Sequence, residues 1–202
     1  MPIKSLVKKE EQNHKFVNIT KLLRKDNLTY DVETEIFLYA RKVAEWWIKR
    51  YEQRHPNIHW KRGEKKNAFF GLLGQIVFEV VLDQKEIFHV SNNPLIEWNP
   101  NKPYDFLTKI GSIEVKTYPS YATKFQVKVK EWHKSDFVIA QKFYSPNIVS
   151  ICGWLTGKQV EKLPISKKGE YYTPEADAYQ CELTETNTDI EALFEKLREK
   201  TA

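Results

Sequence analysis

Glycine is scarce in this chain, with seven in 202 residues, and neither G-x-x-x-x-G-K-[ST] nor G-x-G-x-x-G occurs. The backbone cradles that nucleotide phosphates need are therefore not encoded. No run of about 18 apolar residues is present, which leaves no transmembrane helix. The opening MPIKSLVKKEEQ lacks the apolar stretch of a secretory signal. The two cysteines, Cys152 and Cys181, stand far apart in apolar surroundings and belong to no C-x-x-C. That excludes a zinc ribbon and a disulfide framework, and both residues are expected to be small buried hydrophobes. Together these absences point to a cytoplasmic, reducing setting, in which the sequons at 18–20 and 27–29 are chance matches.

What is present is enough for a core. Hydrophobic residues make up 41% and charged residues 29%, so disorder is not expected, and the length suits one domain with appendages. The net charge of +5 is unevenly spread. Residues 1–25 carry seven Lys or Arg against two Glu, and residues 41–66 carry nine against three acids. Residues 161–202 reverse this, with six basic and ten acidic. A basic front suits an anionic partner such as nucleic acid, although Lys-rich helices are also common simply for solubility.

No internal repeat is visible. A basic N-terminal helical region, residues 1–60, is expected to pack on a domain spanning 61–202. A short helix is expected around 19–24, and a long one capped by Asp31 runs to about Arg54, ended by Pro56. Ile36, Tyr39, Val43, Trp46, Trp47 and Ile48 give it one wide apolar face. Residues 64–82 form a second helix, apolar nearly all round and so buried, despite Gly71 and Gly74. Strands are expected at 87–90, 104–108, 112–118, 125–129, 137–143, 149–155 and 178–183. Capping boxes at Thr156–Gln159 and Thr188–Glu191 each open a helix, the second with Ile190, Leu193, Phe194 and Leu197 as its apolar stripe. The order predicts an α/β domain with a mixed sheet flanked by helices.

The chemistry concentrates in KPYDFLTKIGSIEVKTY, residues 102–118. Lys109-Ile110-Gly111 is a turn candidate, with Gly111 free to take positive φ. If the flanking runs pair, Asp105 falls opposite or nearly opposite Glu114, close enough for both carboxylates to share one metal. Glu114 and Lys116 project from one strand face, whereas Val115 points into the core and leaves its carbonyl beside the site. Carboxylates and a carbonyl are hard oxygen ligands that suit Mg²⁺, with Mn²⁺ as a substitute. A lysine beside them can hold an attacking water or stabilise charge on a phosphate. The set is that of metal-dependent phosphodiester hydrolysis.

Pro103-Tyr104-Asp105 followed, after eight residues, by Glu114-Val115-Lys116 resembles the signature of the PD-(D/E)XK nuclease superfamily. That superfamily includes restriction endonucleases, Holliday-junction resolvases and repair exonucleases. The departure is Tyr104, which separates the proline from the aspartate. The resemblance covers about half of the chain. It implies a restriction-endonuclease-like core over roughly 64–160: a helix, three antiparallel strands, a helix and a further strand. It also implies a role for Glu79, on the helix before the hairpin, in binding a second metal or a metal-bound water. The expected partner is DNA, with a homodimer where both strands must be cut, and no membrane. The rival readings are a non-catalytic DNA-binding protein that keeps the fold, and a junction resolvase or single-strand exonuclease.

Other residues carry weaker signals. Gln75, one turn before Glu79, is expected to support by hydrogen bonding. Gln126 and Lys128 share a solvated strand face that could touch DNA. His55 and His59 are separated by Pro56, which breaks the helical spacing zinc would need. Trp46, Trp47 and Trp60 are read mainly as core and rim, although interleaved Arg and Lys would let them stack on bases.

Overall fold

The computed structural model describes residues 20–24, 27–31, 34–54, 62–92, 104–145, 148–169 and 176–198. Two long helices, α1 (Thr34–Arg54) and α2 (Arg62–Gln84), pack on each other, and α2 lies across the main sheet. That sheet has seven strands in the order β1-β2-β8-β7-β5-β4-β3. They are β1 (Thr20–Arg24), β2 (Asn27–Asp31), β3 (His89–Ser91), β4 (Phe106–Thr108), β5 (Gly111–Pro119), β7 (Phe137–Ser145) and β8 (Ile148–Thr156). β5 and β7 run parallel and the other pairs antiparallel, so the fold is α/β with a mixed central sheet. A second sheet is formed by β6 (Lys124–Lys128), β9 (Ile165–Ser166) and β10 (Ala178–Glu182), in the order β6-β10-β9. Short α3 (Gly157–Val160) follows β8, and α4 (Ile190–Arg198) ends the described chain.

The apolar periodicity explains most of this. The side chains of α2 that face the sheet, among them Leu73, Val77, Phe78 and Val81, join Ile113, Val115, Ile139 and Ile151 in the main core. The stripe of α4 is buried at all four expected positions, Ile190, Leu193, Phe194 and Leu197. A second cluster, with Phe125 and Val127 against Val138 and Ala140, glues the small sheet to the other face of the large one. In α1, Val43 and Ile48 are buried and Trp46 is half-buried, while the side chains of Ile36, Tyr39 and Trp47 lie outside the described residues. Both cysteines are buried, and burial raises both thiols, Cys181 to about 11. No helix among the described residues is long and apolar enough to cross a membrane.

Several expectations are corrected. Residues 20–24 are a strand, not a helix: five residues cannot repay helix nucleation, whereas pairing with β2, itself joined to β8, satisfies their backbone groups. Asp31 ends β2 and does not cap α1, which starts at Thr34. Thr156 does cap α3 through a capping box. At α4 the cap moves one residue, from Thr188 to Asp189, whose Oδ1 accepts from the Ala192 N–H at 3.0 Å. Glu191 is drawn away by Lys85, 2.7 Å from its Oε2. The crossover from β5 to the parallel β7 holds β6 and a single 3-10 turn (Val129–Glu131), where the resemblance implies a helix.

Candidate active site

The β4–β5 hairpin sets the geometry. Thr108 pairs with Gly111 across the turn, and Phe106 pairs with Ile113. Gly111 takes φ +152°, and a Cβ there would meet Asp136 Oδ2 at 2.6 Å, so this position admits little but glycine. Asp136 Oδ2 in turn accepts from the Ser112 N–H at 2.8 Å and its hydroxyl at 2.9 Å, clamping the turn to the start of β7. The regular ladder ends at Phe106 and Ile113; the Asp105 N–H still donates to the Ile113 carbonyl at 2.9 Å, which keeps Asp105 beside the start of Glu114-Val115 on β5.

Strand alternation separates the faces. Ile113 and Val115 lie in the core under α2, so Glu114 and Lys116 emerge on the opposite face. Lys116 folds back, with Nζ 2.5 Å from Glu114 Oε1. Glu114 is only 7% exposed, and its Oε2 is buried with no hydrogen-bond partner. Asp105, at the open end of the hairpin, is held from two sides. Its Oδ1 accepts from Gln75 Nε2 at 2.6 Å, and its Oδ2 accepts from the Val115 N–H at 2.7 Å. Burial pushes the Asp105 carboxyl up to about 7; the Val115 N–H opposes this, the Glu114 charge adds to it and Lys116 opposes it. For Lys116, burial lowers the pKa, but the Glu114 charge and hydrogen bond, with Asp105, outweigh it and the net direction is up. The lysine is thus held as a cation.

Since the N–H and C=O of one strand residue point to the same side, the Val115 carbonyl faces the edge where its N–H meets Asp105. Asp105 thus touches the Val115 backbone and lies within the electrostatic reach of Glu114 and Lys116, which touch each other. Glu79 comes near only one of them, Asp105. It lines a narrow cleft with Gln75, Asn92 and Asp105, with room for about one water. Its Oε1 lies 4.0 Å from His89 Nε2, and Asp83 Oδ1 lies 3.8 Å from the same nitrogen. Among the described residues, no group of three or more His, Cys, Asp or Glu could hold one metal. Glu79 thus shares its cleft with Asp105 and Gln75, whereas Glu114, next to the inward-facing Val115 on β5, leaves by the other face of the strand.

Gly74 has the close approach expected of it, since a Cβ would collide with the Thr117 hydroxyl and meet Gln141 Oε1 at 2.6 Å. Gly71 has none: nothing lies within 4 Å of a Cβ there. Gln126 is taken up by Gln180 Oε1 at 2.9 Å, and Lys128 by Glu131 at 3.1 Å. Pro103, His55, His59 and Trp60 lie outside the described residues. His89 and Asn92 were missed by sequence reasoning. Ser91 pairs with Phe106, so Asn92 falls beside Asp105, whose carbonyl accepts its N–H at 2.8 Å. The Asn92 Oδ1 is buried without a partner. The β3–β4 register would have revealed it, but 14 residues separate Ser91 from Phe106 in the sequence, too many for that register to be read from a short turn motif.

The donor set fits a hard divalent cation. Glu114 Oε2 is a buried acceptor with no donor, Asp105 stands beside it, and the Val115 carbonyl completes three oxygens. Mg²⁺ commonly takes one or two carboxylates and leaves its other positions to water and phosphate oxygens. No family model, no curated protein and no solved structure matches the chain.

Proposed function

We propose that the chain is a metal-dependent deoxyribonuclease of the PD-(D/E)XK kind, with a restriction-endonuclease-like core. The observation that carries this reading is the convergence of Asp105, Glu114 and Lys116 at the open end of one hairpin, with Glu114 Oε2 buried and unpaired. The order of helix, antiparallel meander and parallel strand supports it.

In this reading Asp105, Glu114 Oε2 and the Val115 carbonyl hold Mg²⁺ or Mn²⁺. Such an ion supplies Lewis acidity to a phosphate and makes a nearby water more acidic. Gln75 and the Val115 N–H fix the orientation of Asp105. Lys116, kept charged by Glu114, orients the attacking water and offsets negative charge gathering on the phosphate. Exposed Lys42 and Lys49 on α1 supply sequence-independent attraction for the DNA backbone.

The test is incubation with linear, nicked, branched and single-stranded DNA in Mg²⁺, Mn²⁺, Ca²⁺ or excess chelator. Cleavage is expected in Mg²⁺ and Mn²⁺, and binding with little turnover in Ca²⁺. Full activity in chelator would sink the mechanism.

A further inference from the structure

Among the described residues, the edge of the main sheet beside the hairpin carries exposed apolar side chains. Phe88 is 62% exposed, Val90 45% and Leu107 39%. These belong to one surface. Val90 pairs with Leu107, and Leu107 with Ser112. The same count sets Phe88 opposite Lys109, whose Nζ lies 5.8 Å from the Phe88 ring centroid. Side chains alternate along strands, so this row shares its face with Glu114 and Lys116, while His89, Phe106 and Thr108 turn inward. On the β7 side the same face is covered by the small sheet through Val138 and Ala140. Among the described residues that cover reaches no further along the sheet, and β3 is its last strand on this side. The result is a floor at Glu114 and Lys116, a wall on the β7 side, and an apolar shelf starting one row away, roughly 7 Å along the strand.

We infer that this shelf takes the faces of unpaired bases next to the scissile phosphate, so that the substrate is DNA with a single-stranded segment rather than a blunt duplex. The inference rests on the nuclease reading. A duplex presents sugar and phosphate outward and keeps its base faces stacked inside, which leaves an apolar shelf nothing to cover. An unpaired strand exposes flat apolar faces beside a charged backbone. An aromatic ring with a lysine over it is the combination that accepts both.

The test uses oligonucleotides carrying 2-aminopurine in a single-stranded arm beside a duplex, with a blunt duplex of the same sequence, in Ca²⁺ so that binding is read without turnover. Fluorescence quenching of the arm is expected on binding. Phe88→Ala should weaken binding of the forked DNA about tenfold, leave the blunt duplex unchanged and abolish the quenching. Phe88→Trp should retain both. Phe88 is mostly exposed, so either variant folds. Equal effects on forked and blunt DNA, or no quenching in the wild type, would overturn the inference, whatever the outcome of Mg²⁺-dependent cleavage. Sedimentation showing a dimer that Phe88→Ala or Leu107→Ser dissociates would also overturn it, because a second copy would then occupy the shelf. Quenching without any cleavage in Mg²⁺ would uphold the shelf and sink the nuclease reading alone.

Discussion

Asp105→Asn isolates the electrostatic strain of the site. Burial holds the Asp105 carboxyl at about 7, against 3.8 for a free side chain. Between those values the folded protein keeps a proton that the unfolded chain releases, so unfolding loses a proton and stability falls as pH rises from about 4 to about 7. The slope is about 1.4 kcal/mol per pH unit for one proton, and a shift of about three units gives a ceiling of about 4 kcal/mol. Asp105 keeps part of its surface in water, so about half of that, about 2 kcal/mol, is expected. Asparagine can keep both hydrogen bonds. Its oxygen accepts from the Val115 N–H, and its amide donates to Gln75 once that amide turns over. The assay is urea unfolding of wild type and Asp105→Asn in chelator, between about pH 4.5 and 7.5. The wild type should lose about 2 kcal/mol relative to the variant across that range. Adding Mg²⁺ at the upper end should stabilise the wild type and leave the variant nearly unchanged. Parallel pH profiles for the two proteins would refute the buried-carboxylate argument. An equal response to Mg²⁺ would refute the assignment of Asp105 as a ligand.

Lys116→Ala should lower the single-turnover cleavage rate at least about a hundredfold, or about 2.7 kcal/mol, while DNA affinity in Ca²⁺ moves less than about tenfold. Loss of affinity alone would make Lys116 a surface contact. Two glycines on one helix should respond oppositely: Gly74→Ala should destabilise by about 1–3 kcal/mol by overpacking against Thr117 and Gln141, and Gly71→Ala should stabilise by about 0.5–1 kcal/mol, both read by urea midpoints. Asp189→Ala should cost about 1 kcal/mol of cap energy, and Thr188→Ala less than about 0.5 kcal/mol; the reverse ranking in thermal unfolding would restore the cap to Thr188.

The sequence by itself determined the features whose causes are local. The two long helices, the alternating strands and the buried stripe of α4 follow from apolar spacing, which repeats at the period of the element it builds. The row of Asp105 and Glu114 follows from a turn that needs Gly111 and from strand alternation, which also puts Lys116 beside Glu114. Tertiary structure decided what depends on residues distant along the chain. Thr20–Arg24 became a strand because β2, itself held in the sheet by β8, offered its backbone partners. The identity of the donors to Asp105, Gln75 on a helix thirty residues earlier and Val115 across the turn, depends on how α2 lies on the sheet. Gly74 is needed where that helix meets Thr117, and Gly71 is not, although the two are alike in sequence. Glu79 lies in the cleft with Gln75 and Asp105, 4.0 Å from His89, because α2 packs over the face of β5 that carries Val115, while Glu114, its neighbour along the strand, faces the opposite way.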